Sequence, residues 1–120
     1  MKISDLEGPL LDYWVARVAS LPKPRVDDGF CWIEEPACDG DLGGALEAAF
    51  APSTDWTHGG PFIERQRICI RYTNEHAWGA GMTADVPPRC YGATPLIAAM
   101  RCYVASQYGD EVPDENEPAA

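Results

Sequence analysis

The sequence predicts a single α+β domain in which two helices cover a small, mainly antiparallel sheet. Two segments, residues 9–20 and 94–108, have apolar residues at helical spacing, and the short segments between them alternate apolar and polar residues. A chain of 120 residues suits one domain with its own core. We therefore predict a body over residues 1–109, followed by a flexible acidic tail over residues 110–120.

The first helix is predicted from Pro9, which suits the first turn, to about Ser20. Its apolar stripe consists of Leu10, Leu11, Trp14, Val15, Val18 and Ala19. A turn at Asp28-Gly29 then leads into residues 30–34, whose aromatic and β-branched side chains favour a strand. Residues 36–44 are predicted as loop. The four-residue spacing of Leu42, Leu46 and Phe50 favours a short helix over residues 43–50.

Residues 53–65 have neither helical nor strand periodicity, so we predict that they are irregular. They end a long segment, Pro36 to Arg65, that is predicted to lie on the other face of the sheet or on its rim. A hairpin follows. Residues 67–72 and 78–82 both alternate in polarity or size, and residues 73–76 form the turn between them. The last helix begins with Thr94 as N-cap and Pro95 at the first position, and Gly109 ends it.

Charge excludes one class of function. The net charge is −10, with no basic residue from Asp110 onward, whereas a reader of duplex DNA needs a basic face to displace counterions. The five cysteines are widely spaced, without a Cys-x-x-Cys pair, so we expect no metal site. No signal sequence or membrane-spanning run is visible, and we expect a cytoplasmic protein that contacts no membrane.

The segment around Trp56 carries the first candidate site residues. Adjacent glycines, Gly59 and Gly60, allow backbone N–H groups to approach an anion, and an indole can stack on a base. Asp55 can accept hydrogen bonds from a ligand hydroxyl or amino group. Glu64 and Arg65 can contact a ligand above the glycines. The alternative is that these residues have structural roles. Trp56 would then pack in the core, the two glycines would form a tight turn, and Glu64 and Arg65 would lie on a solvated edge.

The start of the last helix supplies the other candidates. Free N–H groups after Thr94 and the positive end of the helix dipole favour an anion, and Arg101 can reach a phosphate. The alternatives are a simple cap at Thr94 and an internal ion pair at Arg101. His58 is a lone histidine without an activated serine or cysteine, so we predict no catalytic residue and no enzyme activity. No cofactor is expected.

Two blocks, residues 52–64 and residues 92–113, make the chain resemble the NinX-type family of small phage proteins. A weaker match lies at Leu11-Asp12-Tyr13-Trp14-Val15-Ala16. The resemblance implies a phage or prophage gene product that acts inside a bacterium, and it supplies no catalytic residues. By analogy with other small accessory phage proteins, it suggests counter-defence by sequestering a nucleotide signal.

Two functions follow as expectations. The first is non-enzymatic binding of a small, nucleotide-like anion by Asp55, Trp56, Gly59, Gly60, Glu64, Arg65, Thr94 and Arg101. The alternative is a protein-interaction module that inhibits or modulates a host protein through an acidic surface. Self-association into a homo-oligomer is left open.

Overall fold

The computed structural model describes residues 1–35, 46–73, 77–82 and 88–113. Over these ranges the chain forms three α-helices and two three-stranded antiparallel sheets. The helices are α1 (Gly8–Val18), α2 (Trp56–Gln66) and α3 (Pro95–Tyr108). One sheet has the order β1 (Arg25–Asp27), β2 (Phe30–Glu35), β3 (Leu46–Ala49), and the other has the order β4 (Cys69–Tyr72), β5 (Trp78–Gly81), β6 (Cys90–Gly92). The α+β class is confirmed, with two sheets in place of one.

Helix α3 forms the centre of the core. It packs against all three strands of the second sheet and against α1 and α2. Thr94 Oγ1 accepts a hydrogen bond from the Ile97 backbone N–H at 3.1 Å, and Pro95 is the first helical residue, as predicted. The buried residues on α3 are Leu96, Ala98, Ala99, Met100, Cys102, Tyr103, Val104 and Ala105.

The first sheet lies against α1. The strand predicted over residues 30–34 is confirmed as β2, and its Cys31 and Ile33 are buried. The helix predicted over residues 43–50 is wrong for residues 46–49, which form β3 and pair with β2, Ile33 opposite Ala48. Pairing with the free edge of β2 satisfies more backbone groups than one helical turn does. Residues 43–45 lie outside the described ranges, as does the whole of the predicted loop over residues 36–44.

The prediction of an irregular rim over residues 53–65 is wrong, because most of this segment forms α2. Asp55 is the N-cap, and its Oδ1 accepts from the Thr57 backbone N–H at 2.9 Å. Two glycines and Pro61 lower the helix propensity of this segment and hide its pattern. The buried residues Gly59 and Phe62 lie three apart and face the core.

The predicted hairpin is confirmed as β4 and β5, with Ile70 opposite Ala80 and Tyr72 opposite Trp78. The turn predicted over residues 73–76 includes residues 74–76, which lie outside the described ranges. Strand β6 joins the sheet through β5 and was not expected, since three residues are too few to show a period.

The predicted tail begins four residues too early, because residues 110–113 belong to the body. Val112 is 3% exposed and packs in the core. Its backbone N–H donates to the Met1 carbonyl at 2.9 Å, and the Ile3 N–H donates to the Asp110 carbonyl at 3.0 Å. Residues 114–120 lie outside the described ranges.

We therefore expect Val112→Ala to lower the free energy of unfolding by about 1–2 kcal/mol, the usual cost of a small cavity in a core. Urea unfolding measures this change. Glu111→Ala, at an exposed neighbouring position, is the control and stays within about 0.5 kcal/mol of the parent protein. Equal stability of the two variants would show that residues 110–113 do not pack on the body.

Candidate functional site

Gly59 and Gly60 do not form an anion-binding nest, because both lie inside α2. A Cβ on Gly59 would lie 2.4 Å from the Pro52 carbonyl oxygen and 2.7 Å from Leu96 Cδ2, so this glycine lets α2 pack closely on its neighbours. A Cβ on Gly60 would have the ring of Trp56 as its nearest neighbour, at 4.0 Å. The N–H groups of both residues belong to the helix rather than to a ligand.

Two other predicted site residues, Trp56 and Thr94, are brought together. They line a small hollow of about 220 Å³ beside the first turn of α3, together with Ser53, Thr54, Pro95, Leu96 and Ile97. Trp56 is 55% exposed, so it does not plug the core. None of these lining residues carries a charge, so only neutral donors line the hollow: backbone N–H groups, the hydroxyls of Ser53, Thr54 and Thr94, and the Trp56 indole N–H.

Asp55, Glu64 and Arg65 lie outside this hollow. Asp55 is used as the cap of α2, and all three are exposed. The guanidinium carbon of Arg65 lies 5.8 Å from the centre of the Phe62 ring on its own helix. Asp55 therefore has a structural role, and Glu64 and Arg65 lie on the surface. Of the residues predicted in the Trp56 segment, Trp56 lines the hollow with Thr94.

Arg101 lines a larger hollow of about 520 Å³, which we call the Arg101 hollow. Its Nε donates to the Leu6 carbonyl at 2.9 Å, and its Nη1 donates to the Tyr91 carbonyl at 2.7 Å. The internal ion pair predicted as the alternative is thus replaced by two carbonyl contacts. The other lining residues are Lys2, Ile3, Ser4, Arg89, Cys90, Tyr91, Ala105, Gly109, Asp110 and Glu111.

Positive charge is concentrated at this hollow in an otherwise acidic protein. Lys2, Arg89 and Arg101 are three of the nine Lys and Arg residues of the chain. Asp110 and Glu111 oppose them, and Asp110 Oδ1 lies 3.8 Å from Arg89 Nη2 in an exposed ion pair. Exposed pairs of this kind are weak, so a ligand anion can displace Asp110 from Arg89.

Cys90 is the cysteine that lines the Arg101 hollow. Burial raises the pKa of the Cys90 thiol, although Arg89 and Arg101 favour its thiolate. A thiol with a raised pKa is a poor nucleophile near neutral pH. The hollow offers cations, a hydroxyl at Ser4 and the half-exposed ring of Tyr91.

Sequence reasoning found Arg101 and missed Lys2 and Arg89. Lys2 reaches the hollow because its backbone forms a β-bridge with Glu111, at the opposite end of the chain. Arg89 immediately precedes β6, a strand too short to recognise. No local pattern in the sequence brings these cations together, since the contacts join distant segments.

A second charged feature is Asp12 on α1, which is 4% exposed. Its Oδ1 accepts from the Ser53 backbone N–H at 2.8 Å. Burial raises the pKa of Asp12 to about 6, while the contacts with Ser53 and the nearby His58 favour the ionised form. His58 itself is half-buried, and its Nδ1 accepts from the Ala51 N–H at 3.0 Å. His58 was predicted to lie in an irregular segment, and this is wrong because it lies in α2.

This pKa predicts how stability depends on pH. Folding raises the pKa of Asp12 from 3.8 to about 6, so protonation of its carboxyl group favours the folded state. This contribution to the free energy of unfolding is complete below pH 3.8 and is lost as pH rises through 6. Asp12→Asn does not titrate and keeps an acceptor for Ser53. Between about pH 4 and about pH 7, we expect the free energy of unfolding to fall by about 1–2 kcal/mol relative to this variant. Urea titrations at both pH values measure the difference, and a constant difference would contradict the shift.

Within the described ranges, no helix is long and apolar enough to span a bilayer, and no group of His, Cys, Asp or Glu side chains is arranged to hold a metal ion.

Comparison with protein-family models gives a match over most of the chain. The family model described as "Bacteriophage P22, NinX" matches residues 2–107. The matched range includes α1, α2 and all but the last residue of α3, and therefore most of the residues that line the Arg101 hollow. No curated protein matches the chain.

Proposed function

The chain belongs to the P22 NinX family of phage proteins, and we propose that it is a non-enzymatic accessory protein that binds a small anion in the Arg101 hollow. In this proposal it acts in the cytoplasm of the infected bacterium and withdraws a nucleotide-like signal from host defence. The proposal keeps the ligand class expected from the sequence. It moves the binding site from the Trp56 segment to the Arg101 hollow.

The observation that carries the proposal is the way Arg101 is held. A guanidinium has five N–H groups, and two of them are bonded to the Leu6 and Tyr91 carbonyls. The others have no hydrogen-bond partner among the described residues, while the side chain lines the hollow. A cation fixed before binding loses little conformational entropy when an anion arrives, so Arg101 is well suited to bind one.

Size and composition support a nucleotide-like ligand. A volume of about 520 Å³ lies in the range of small-molecule sites, which is about 300–1,000 Å³. Lys2 and Arg89 can join Arg101 on a phosphate, and the Tyr91 ring, 48% exposed, offers a surface for stacking. The hollow beside Trp56 is less than half this volume and lacks a charged lining residue.

Isothermal titration with adenosine monophosphate tests the proposal, with adenosine as the uncharged comparison. We expect the monophosphate to bind at least tenfold more tightly than adenosine. Lys2→Ser and Arg89→Gln each weaken binding by about five- to tenfold, through loss of a charge-assisted hydrogen bond. Both residues are exposed, so these variants are expected to fold. Thermal melts check this.

Lys23→Ser is the matched control, because Lys23 is an exposed lysine outside the Arg101 hollow. Its substitution removes the same charge as Lys2→Ser. We expect its affinity to match that of the parent protein. Trp56→Ala and Arg65→Gln test the site expected from the sequence. If these two variants weaken binding while Lys2→Ser and Arg89→Gln do not, the Arg101 hollow is not the site. Equal binding of adenosine and its monophosphate would also overturn the proposal.

A further inference from the structure

A third hollow, of about 220 Å³, lies on the side of the molecule formed by α1 and the first sheet, and we call it the Asp12 hollow. Asp12 is the one charged residue among those that line it. The others are Gly8, Pro9, Gly29, Phe30, Cys31, Ala49, Phe50, Ala51 and Thr54. Its lining is thus largely apolar and aromatic, with a single carboxyl group.

That carboxyl group is only partly satisfied. Oδ1 accepts from the Ser53 N–H, whereas the other carboxylate oxygen has no hydrogen-bond partner among the described residues. The Ser53 hydroxyl is near the same carboxyl group but lies outside hydrogen-bond geometry. A buried carboxylate with an unfilled acceptor position is strongly stabilised by an entering cation that donates to it.

Among the described residues, no Lys, Arg or His side chain hydrogen-bonds to the Asp12 carboxyl group. His58 lies nearby and favours the ionised form of Asp12, but its Nδ1 accepts from the Ala51 N–H instead. Cys31 is the other titratable group beside the carboxyl, and burial and Asp12 together raise its pKa to about 12, which keeps it neutral. Arg25 on β1 is held by Asp27 and Glu47, at 2.9 and 2.6 Å.

The mouth of the hollow favours a positively charged chain rather than a free amine. Phe30 is 55% exposed at the edge of the hollow, where its ring can pack on the stem or the charge of a basic side chain. Glu7 and Asp28 are exposed and adjoin the lining residues Gly8 and Gly29. These two acids lie outside the hollow and offer contacts to residues that flank an inserted side chain.

We propose that the Asp12 hollow receives one lysine or arginine side chain from a basic segment of a partner protein. The ammonium or guanidinium group donates to Asp12, the aliphatic stem packs on Phe30, and neighbouring basic residues pair with Glu7 and Asp28. The volume fits one side chain and is less than half that of the Arg101 hollow. This site is independent of the anion site, and it gives a specific contact to the acidic-surface alternative expected from the sequence.

The test uses the peptide acetyl-Lys-Gly-Lys-Gly-Lys-amide and follows the backbone amide signal of Ser53 by nuclear magnetic resonance. We expect a saturable shift of this signal, and an affinity at least tenfold above that of n-butylammonium. Replacing the central lysine of the peptide by norleucine abolishes the shift. Asp12→Asn weakens the peptide by at least about 30-fold, as expected for loss of a buried charge partner.

Phe30→Ala supplies an independent variant at an exposed position and weakens the peptide about two- to fivefold. Glu64→Gln is the matched control. It removes one exposed acid that does not line the Asp12 hollow and changes the affinity by less than about twofold. Similar losses in Asp12→Asn and Glu64→Gln would mean general charge attraction and overturn the proposal. Equal binding of n-butylammonium would assign the hollow to a small amine, and the absence of any Ser53 shift would exclude a ligand there.

Discussion

Gly59→Ala lowers the free energy of unfolding, whereas Gly60→Ala at the next position raises it. Both substitutions gain about 1 kcal/mol of helix propensity, because alanine loses less backbone entropy than glycine. Only the first places a methyl group 2.4 Å from the Pro52 carbonyl oxygen. Since this oxygen belongs to the backbone, α2 must move away, at a cost of about 1–3 kcal/mol or more after the propensity gain.

Each variant is the control for the other, because the two glycines lie in the same helix. Only Gly59 is packed closely against the Pro52 backbone and the Leu96 side chain. We expect their free energies of unfolding to differ by about 2–4 kcal/mol in urea titrations. If Gly59→Ala is as stable as Gly60→Ala, then α2 does not pack closely on residues 52 and 96. An irregular segment over residues 53–65, as first predicted, would give that result.

Leu96→Ala is expected to cost about 2–5 kcal/mol, the range for truncating a fully buried leucine. Leu96 is 3% exposed and lies in the first turn of α3, where α2 crosses it. Urea unfolding measures the loss. Leu10→Ala on α1 is the matched control, because Leu10 is half-buried at the edge of the core, and we expect at most about half the loss. Equal costs for the two leucines would contradict the central position of α3.

Two helices, α1 and α3, were predicted correctly because capping or turn residues mark their ends in the sequence. Pro9 marks the start of α1 within a residue, and Thr94, Pro95 and Gly109 mark both ends of α3. Such residues act through their own backbone geometry or cap, so the sequence alone exposes them.

Other elements depend on contacts between distant segments. Helix α2 carries two glycines and a proline, and it exists because Gly59 fits under Pro52 and Leu96. Strand β3 forms against the free edge of β2. The contacts with Leu96 and with β2 are not visible in the local pattern, so periodicity favours a helix where β3 forms and indicates no element where α2 forms.

The candidate site shows the same division. Arg101 could be selected because it lies one turn after Ile97 on a recognisable helix, but Lys2 joins it only through pairing of the two ends of the described chain. Trp56 and Gly59 stood out by residue type, yet one is exposed beside a small uncharged hollow and the other is a packing residue. Residue type identified the chemistry required, and tertiary contacts decided which residues could supply it.

The most direct test of anion binding in the Arg101 hollow is a titration of ¹⁵N-labelled protein with adenosine monophosphate, observed through side-chain and backbone N–H signals. We predict saturable shifts of the Arg101 Nε–H and of the Cys90 and Tyr91 amides, with the Trp56 indole N–H unchanged. Cys90, Tyr91 and Arg101 line the hollow, whereas Trp56 lies outside it. Shifts confined to Trp56 and Ile97, or no saturable shift at all, would contradict the proposed site.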